Sequence, residues 1–133
     1  MDDDQRRESG FAVRRAVLGD EHVDRAIGAT TELTAPFQDF ITRYAWGDVW
    51  ADETLDRRTR SGLTLALLTA LGHYEELGMH LLAARRNGLA DAEIAEVLRH
   101  TADYAGVPAA NAAFRVAQQV LGPADEADDR DRD

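Results

Sequence analysis

Apolar residues recur along this chain at spacings of three and four, and no stretch keeps a strict alternation, so the pattern predicts helices throughout. Phe11-Ala-Val-Arg-Arg-Ala-Val-Leu18 reads as a short helix closed by Gly19, and Asp20 caps a second that runs to Ile27 before Gly28. Thr30–Ala35 reads as a loop. From Pro36, a favoured first-turn residue, Phe37, Phe40, Ile41 and Tyr44 carry helical spacing toward Trp50. Asp52–Asp56 breaks the pattern. Leu63, Ala66, Leu67, Ala70 and Leu71 then form a stripe that Leu65 and Leu68 widen almost all round, which marks a core or subunit-interface helix. Gly72 ends it and His73 begins the next, with Glu75 and Glu76 in a first turn where the helix dipole favours acids. Leu77, Leu81 and Ala84 give that helix its apolar side, and Gly88 stops it. Asp91 caps a helix through Ile94, Val97, Leu98, Thr101 and Tyr104. Gly106-Val107-Pro108 stops and restarts the chain, and the last helix carries Ala109, Ala113, Val116 and Val120 and ends at Gly122-Pro123. The fold class is all-α.

Composition narrows the chemistry. The 133 residues, 44% hydrophobic, suffice for one domain with a real core. No apolar run reaches the roughly 20 residues that span a bilayer. The acidic start Met1-Asp-Asp-Asp lacks the apolar segment of a secretory signal, so a cytoplasmic address is expected. Cysteine is absent, which removes disulfides, thiolate metal sites and thiol nucleophiles. Lysine is absent too, all 15 basic residues being arginine, so no side-chain Schiff base can form. The net charge of −10 argues against nucleic-acid and anionic-membrane partners. Six of those charges come from residues 1–9 and 123–133, expected to be disordered acidic tails around a domain at 10–122.

Two segments hold the candidate chemistry. His73, Glu76 and His80 fall at i, i+3 and i+7, on one face of a continuous helix. Arg43, Trp46 and Trp50 share the same spacing, and the expected scaffold brings the two segments together. Glu76/His80 and Glu96/His100 are i, i+4 pairs, but di-metal bundles use Glu-x-x-His, and neither pair has that spacing. No metal is expected. His80 beside Glu76 reads either as a general acid/base or as a helix-surface ion pair. The tryptophans read either as core anchors or as a substrate wall, and Arg43 either as a carboxylate clamp or as a cation stacked on an indole. Neither Ser9 nor Ser61 lies in a G-x-S-x-G elbow, and no phosphate-binding glycine loop is present.

At these residues the chain resembles a known family. Arg43-Tyr-Ala-Trp-Gly-Asp-Val-Trp50, Leu55-Asp-Arg-Arg-Thr-Arg60, Glu75-Glu-Leu-Gly-Met-His80, Gly88, Glu93-Ile94 and Tyr104-Ala-Gly-Val-Pro-Ala-Ala-Asn111 are similar to gamma-carboxymuconolactone decarboxylases, in one register from about Gly10 to Leu121. The wider alkylhydroperoxidase-like superfamily includes peroxidases with a Cys-x-x-Cys ahead of a histidine. Here His73 and Glu76 stand at the cysteine positions and Ser61 stands where those proteins place a glutamate, so the redox branch is excluded.

The resemblance implies a single-domain helical bundle of the alkylhydroperoxidase-like type, assembled as a ring homo-oligomer (trimer or hexamer). It implies cofactor-free decarboxylation of 4-carboxymuconolactone to 3-oxoadipate enol-lactone, in the β-ketoadipate route of protocatechuate breakdown. The substrate lactone is its own electron sink, which suits a chain without lysine. On this reading His80 donates the proton and Glu76 orients it. Arg43, Arg58 and Arg85 take substrate carboxylates, and Trp46 and Trp50 form an apolar wall. His73, Tyr44 and Glu75 complete the substrate-binding set. A related decarboxylase or isomerase acting on another lactone or β-keto acid is the alternative, and a non-catalytic helical binding protein is a third reading.

Overall fold

A computed structural model describes the backbone of residues 1–132 and the side chains of residues 1–122. The chain is helical, with no strand among the described residues, and it divides into two compact units, Met1–Arg57 and Arg58–Asp133. The division falls inside the stretch 10–122 that the sequence pattern treats as one domain.

The first unit holds α1 (Asp3–Leu18), α2 (Asp20–Gly28), α3 (Ala35–Ile41) and a π-helix, Thr42–Trp50. α1 starts within the predicted acidic tail, eight residues ahead of Phe11, because Asp2 and Gln5 form a reciprocal capping box. The Asp2 carboxylate accepts from the Gln5 amide at 2.8 Å, and the Gln5 side chain accepts from the Asp2 amide at 3.0 Å. Asp3 and Asp4 then sit in the first turn, so the acids favour the helix instead of opposing it.

Periodicity predicts one α-helix from Pro36 to Trp50. The structure switches instead from α3 to i→i+5 bonding, as in Ala51 N–H to Trp46 O at 3.1 Å. At the switch the Thr42 hydroxyl donates back to the Gln38 carbonyl at 2.7 Å, a contact that bends helices.

α1 packs on the π-helix backbone to backbone. A Cβ on Gly10 would run into the Thr42 carbonyl oxygen, and one on Gly47 would lie 2.5 Å from the Arg6 carbonyl oxygen. Glycine is required at both positions because the approach itself leaves no room. Val17, Val23 and Trp46 supply the buried apolar side chains of this unit.

The second unit contains most of α4 (Arg57–Leu71), then α5 (Tyr74–Arg86), α6 (Asp91–Ala105) and α7 (Val107–Arg132). Leu65, Leu77, Leu81, Ala84, Ile94, Leu98 and Ala113 form its core; the residues from α5, α6 and α7 lie on the predicted stripes, whereas α4 contributes Leu65 rather than its predicted stripe. Gly72 and Gly88 end α4 and α5 as expected, at φ +76° and +99°. In each case the amide that follows reaches back into the last turn, His73 N–H to Leu68 O at 2.9 Å and Leu89 N–H to Ala84 O at 3.0 Å.

Further details differ from the sequence pattern, among them the start of α2, where Gly19 is the cap residue and the Asp20 side chain makes no cap hydrogen bond. Ala90, not Asp91, is the cap residue of α6, because Glu93 accepts from the Ala90 amide at 2.9 Å while Asp91 turns to Arg85. α4 is not buried all round: Ser61, Leu65 and Thr69 face inward, whereas Leu63, Leu67 and Leu71 are 49%, 60% and 66% exposed. α7 continues past Gly122-Pro123, its predicted end. The side chains of the predicted tail 123–133 lie outside the described residues. Among the described residues no helix is long and apolar enough to cross a membrane.

Candidate active site

The histidine segment lies where the pattern puts it. His73 is the residue before α5, with its φ of −88° and ψ of 69° outside the helical region, and is exposed. Glu75 and Glu76 occupy the first turn and are exposed, while His80, one turn further along, is half-buried beside the buried Leu77 and Leu81. The helix therefore presents an imidazole at the edge of an apolar core with carboxylates toward its N-terminus.

The tryptophan segment lies on the π-helix in the other unit. Trp46 is buried and Trp50 half-buried, their rings stacked at 5.3 Å between centroids and 29° between planes. Trp46 is the buried anchor, and Trp50 lines a cleft of about 420 Å³. Asp52, Glu53 and Asp56 share that cleft with Arg57, a poor setting for an anion. Tyr44 is exposed and stacks on Phe40 at 5.4 Å.

The arginines expected to act as clamps already hold protein acceptors. Arg43 donates from Nε to Asp39 at 3.0 Å and stands 3.8 Å from Asp3; it stacks on neither indole. Asp39 is shared with Arg7, and the Arg7 hydrogen bond first, then that of Arg43, holds its carboxyl below the ordinary value. Arg58 pairs with Glu93 and donates to the Gly88 carbonyl at 2.8 Å. Arg85 forms a two-pronged pair with Asp91, both contacts at 2.8 Å, and reaches the Leu121 carbonyl at 3.2 Å. Sequence spacing could not reveal these partners, since most come from other elements.

Glu96 and His100 sit on the outer side of α6, where Glu96 pairs with Arg99 at 2.9 Å and the His100 ring meets Tyr104 at 5.2 Å. Both line an apolar cleft of about 540 Å³ with Leu63, Ala66 and Val97. No three His, Asp or Glu side chains among the described residues converge as metal ligands. The buried Ser61 hydroxyl accepts from the Asn87 amide at 3.0 Å, which gives it a packing role.

One residue of interest escapes the sequence pattern. Arg14 is almost fully buried, on the same face of α1 as Gly10 and Val17. A signal for it exists: an arginine at i+4 and i−3 from two inward positions occupies an apolar stripe.

Comparison with known proteins identifies the family. Residues 35–119 match the model of the carboxymuconolactone decarboxylase family, a span that includes both the π-helix and α5. The chain is 46% identical over 121 residues to the 4-carboxymuconolactone decarboxylase of Acinetobacter baylyi, covering 91% of this chain and 90% of that one. It is 41% identical over 114 residues to the nitrosuccinic acid decarboxylase of Metarhizium robertsii, covering 86% and 80%. A 48-residue match to a 4-carboxymuconolactone decarboxylase of Pseudomonas putida is 52% identical and covers 36% of this chain and all of that sequence. With a family match over well over half its length and 46% identity across nine-tenths of a relative, the chain belongs to the carboxymuconolactone decarboxylase family.

Proposed function

We propose that this protein decarboxylates 4-carboxymuconolactone to 3-oxoadipate enol-lactone, a step of aromatic-compound catabolism. The observation that carries the reading is the 46% identity to a 4-carboxymuconolactone decarboxylase across nine-tenths of both chains. It is a carboxy-lyase. The chemistry needs no external electron sink: as the C–C bond to the carboxylate breaks, its electron pair moves through the ring double bond into the lactone carbonyl. Carbon dioxide leaves, and the resulting dienolate takes a proton on carbon. No cofactor is required.

His80 delivers that proton, and Glu76, one turn earlier, orients and charges it. In the second unit His73 and Glu75 flank the entry to α5, whose N-terminal amides favour a developing negative charge. Arg58 and Arg85 bind substrate carboxylates only by exchanging Glu93 and Asp91 for them. In the first unit Arg43 would likewise exchange Asp39, and Tyr44, Trp46 and Trp50 offer aromatic surface. The protein acts in the cytoplasm as a ring homo-oligomer, a trimer or hexamer, for which the exposed row Leu63, Leu67, Leu71 provides an apolar face.

The test is carbon dioxide release from freshly generated 4-carboxymuconolactone by metal-stripped protein. Rapid turnover is expected, and His80→Ala should lower kcat about 10²–10⁴-fold, the usual worth of a general acid. A folded His80→Ala protein with full turnover removes the assigned proton donor. The relative acting on nitrosuccinic acid supports a second reading, a different small acid that carries its own electron sink. Turnover of nitrosuccinate but not of the lactone selects it.

A further inference from the structure

A cleft of about 400 Å³ within the first unit is lined by Arg14, Gln38, Thr42, Thr30 and Ile27, with Arg7 and Asp39 at its side. That volume lies in the range of small-molecule pockets, roughly 300–1,000 Å³. Its floor holds an unusual charge. Arg14 is only 6% exposed, yet it has no carboxylate partner among the described residues. Its Nη1 is 3.5 Å from the Thr42 hydroxyl and its Nη2 is 3.3 Å from the Gln38 amide oxygen, both long contacts to neutral acceptors. Its Nε has no hydrogen-bond partner.

A buried guanidinium ordinarily persists only when paired, because desolvation disfavours the charge. Burial does push the Arg14 pKa down. The half-buried His22 is also lowered, by burial first and then by the charges of Arg14 and Arg25. The carboxylate on the cleft wall, Asp39, is committed to Arg7 and Arg43. Arg7 pairs with Asp4 as well as Asp39, so Arg14 is the cation of the cleft lining that is left without a carboxylate among the described residues.

We infer that Arg14 is the anchor of a carboxylate-binding site in the first unit, and that its ligand is a small organic acid whose carboxylate replaces the long contacts to Gln38 and Thr42 with a two-pronged pair. Arginine geometry favours a planar carboxylate in that role. Gln38, Thr42 and Thr30 provide neutral polar contacts, and Ile27 and Phe11 provide apolar wall for a short carbon skeleton. The inference rests on the proposed reaction only for the size and class of the acid.

The test is calorimetric titration of the full-length protein with succinate, with succinamide as the uncharged counterpart and turnover of the lactone measured in parallel. Succinate should bind the wild type and succinamide should not. Arg14→Gln should weaken succinate binding at least tenfold. If Arg14→Gln does not fold, Ile27→Asp replaces it: Ile27 is 45% exposed, so the variant adds a repelling carboxylate at the cleft with little effect on the core. Ile27→Asp should weaken succinate by a similar factor. Unchanged succinate affinity in either folded variant, or no binding to the wild type, overturns the inference. Lactone turnover without Arg14-dependent succinate binding rejects the site and keeps the proposed reaction. Arg14-dependent binding without lactone turnover does the reverse.

Discussion

The two units solve the same problem, holding helices together, by different means. The second does so through an aliphatic interior, with Leu65, Leu77, Leu81, Ile94 and Leu98 almost wholly removed from water. The first has few such residues. It relies on backbone contact at Gly10 and Gly47, on the stacked tryptophans, and on a charge cluster in which Asp39 serves Arg7 and Arg43. Aliphatic burial is non-directional and tolerant, losing a few kcal/mol per side chain. Backbone apposition and ion pairing are geometric, so they fail more abruptly. The unit with the π-helix also contains the buried Arg14, which has no carboxylate partner among the described residues and whose Nε is unsatisfied.

The comparison breaks most visibly at Gly10. Gly10→Ala puts a methyl group into the Thr42 carbonyl oxygen, and backbone cannot swing aside as a side chain does. The cost should exceed the ~1–3 kcal/mol usual for overpacking. Hydrogen exchange should accelerate throughout α1 and the π-helix, and native-like protection there would show that the close approach is dispensable. Leu81→Ala is the matching test in the second unit, where Leu81 is fully buried. It should cost about 2–5 kcal/mol, read as a lower urea midpoint with unchanged m-value. A loss under about 1 kcal/mol would mean that the aliphatic interior collapses onto the gap.

What can be read from the sequence follows the same division. The second unit is legible because its determinants are local: the Leu77–Leu81–Ala84 stripe, and Gly72 and Gly88 at φ values that glycine alone adopts cheaply. The first is less so. Over nine residues, i→i+5 and i→i+4 bonding give similar apolar spacings, so the π-helix looks like a continuation of α3. Asp2 and Gln5 are spaced as a capping box, but the density of acids around them reads as a tail. The segments singled out for chemistry are legible as segments. The acceptors held by Arg43, Arg58 and Arg85 are not, because most of them arrive from other elements. Arg14 escapes because an arginine counts as surface in any polar–apolar reading.

A smaller effect is expected on the outer side of α4. Leu67 is 60% exposed, so Leu67→Glu should change the stability of the isolated chain by no more than about 0.5 kcal/mol. On the proposed ring assembly its consequence should be there, with sedimentation shifting to smaller species at equal concentration. An unchanged sedimentation coefficient would place the subunit contacts elsewhere and leave this leucine row an ordinary solvent-facing one.

The finest test of the contrast is the charge cluster. Asp39 has its folded-state pKa lowered below the ordinary 3.8 by its hydrogen bonds to Arg7 and Arg43. A depressed carboxyl stabilises the fold at pH values above its unfolded pKa, and that contribution disappears as pH falls through the folded value. Asp39→Asn should therefore lower Tm modestly at neutral pH, since the carboxylate is partly solvated and water screens it. The gap between wild type and variant should stay constant down to about pH 4 and close below that, as the wild-type carboxyl protonates. Melting curves across that range decide the matter. A gap that persists into strong acid would mean that Asp39 acts through packing or neutral hydrogen bonding, and the first unit would then differ from the second in backbone contact and stacked tryptophans but not in ion pairing.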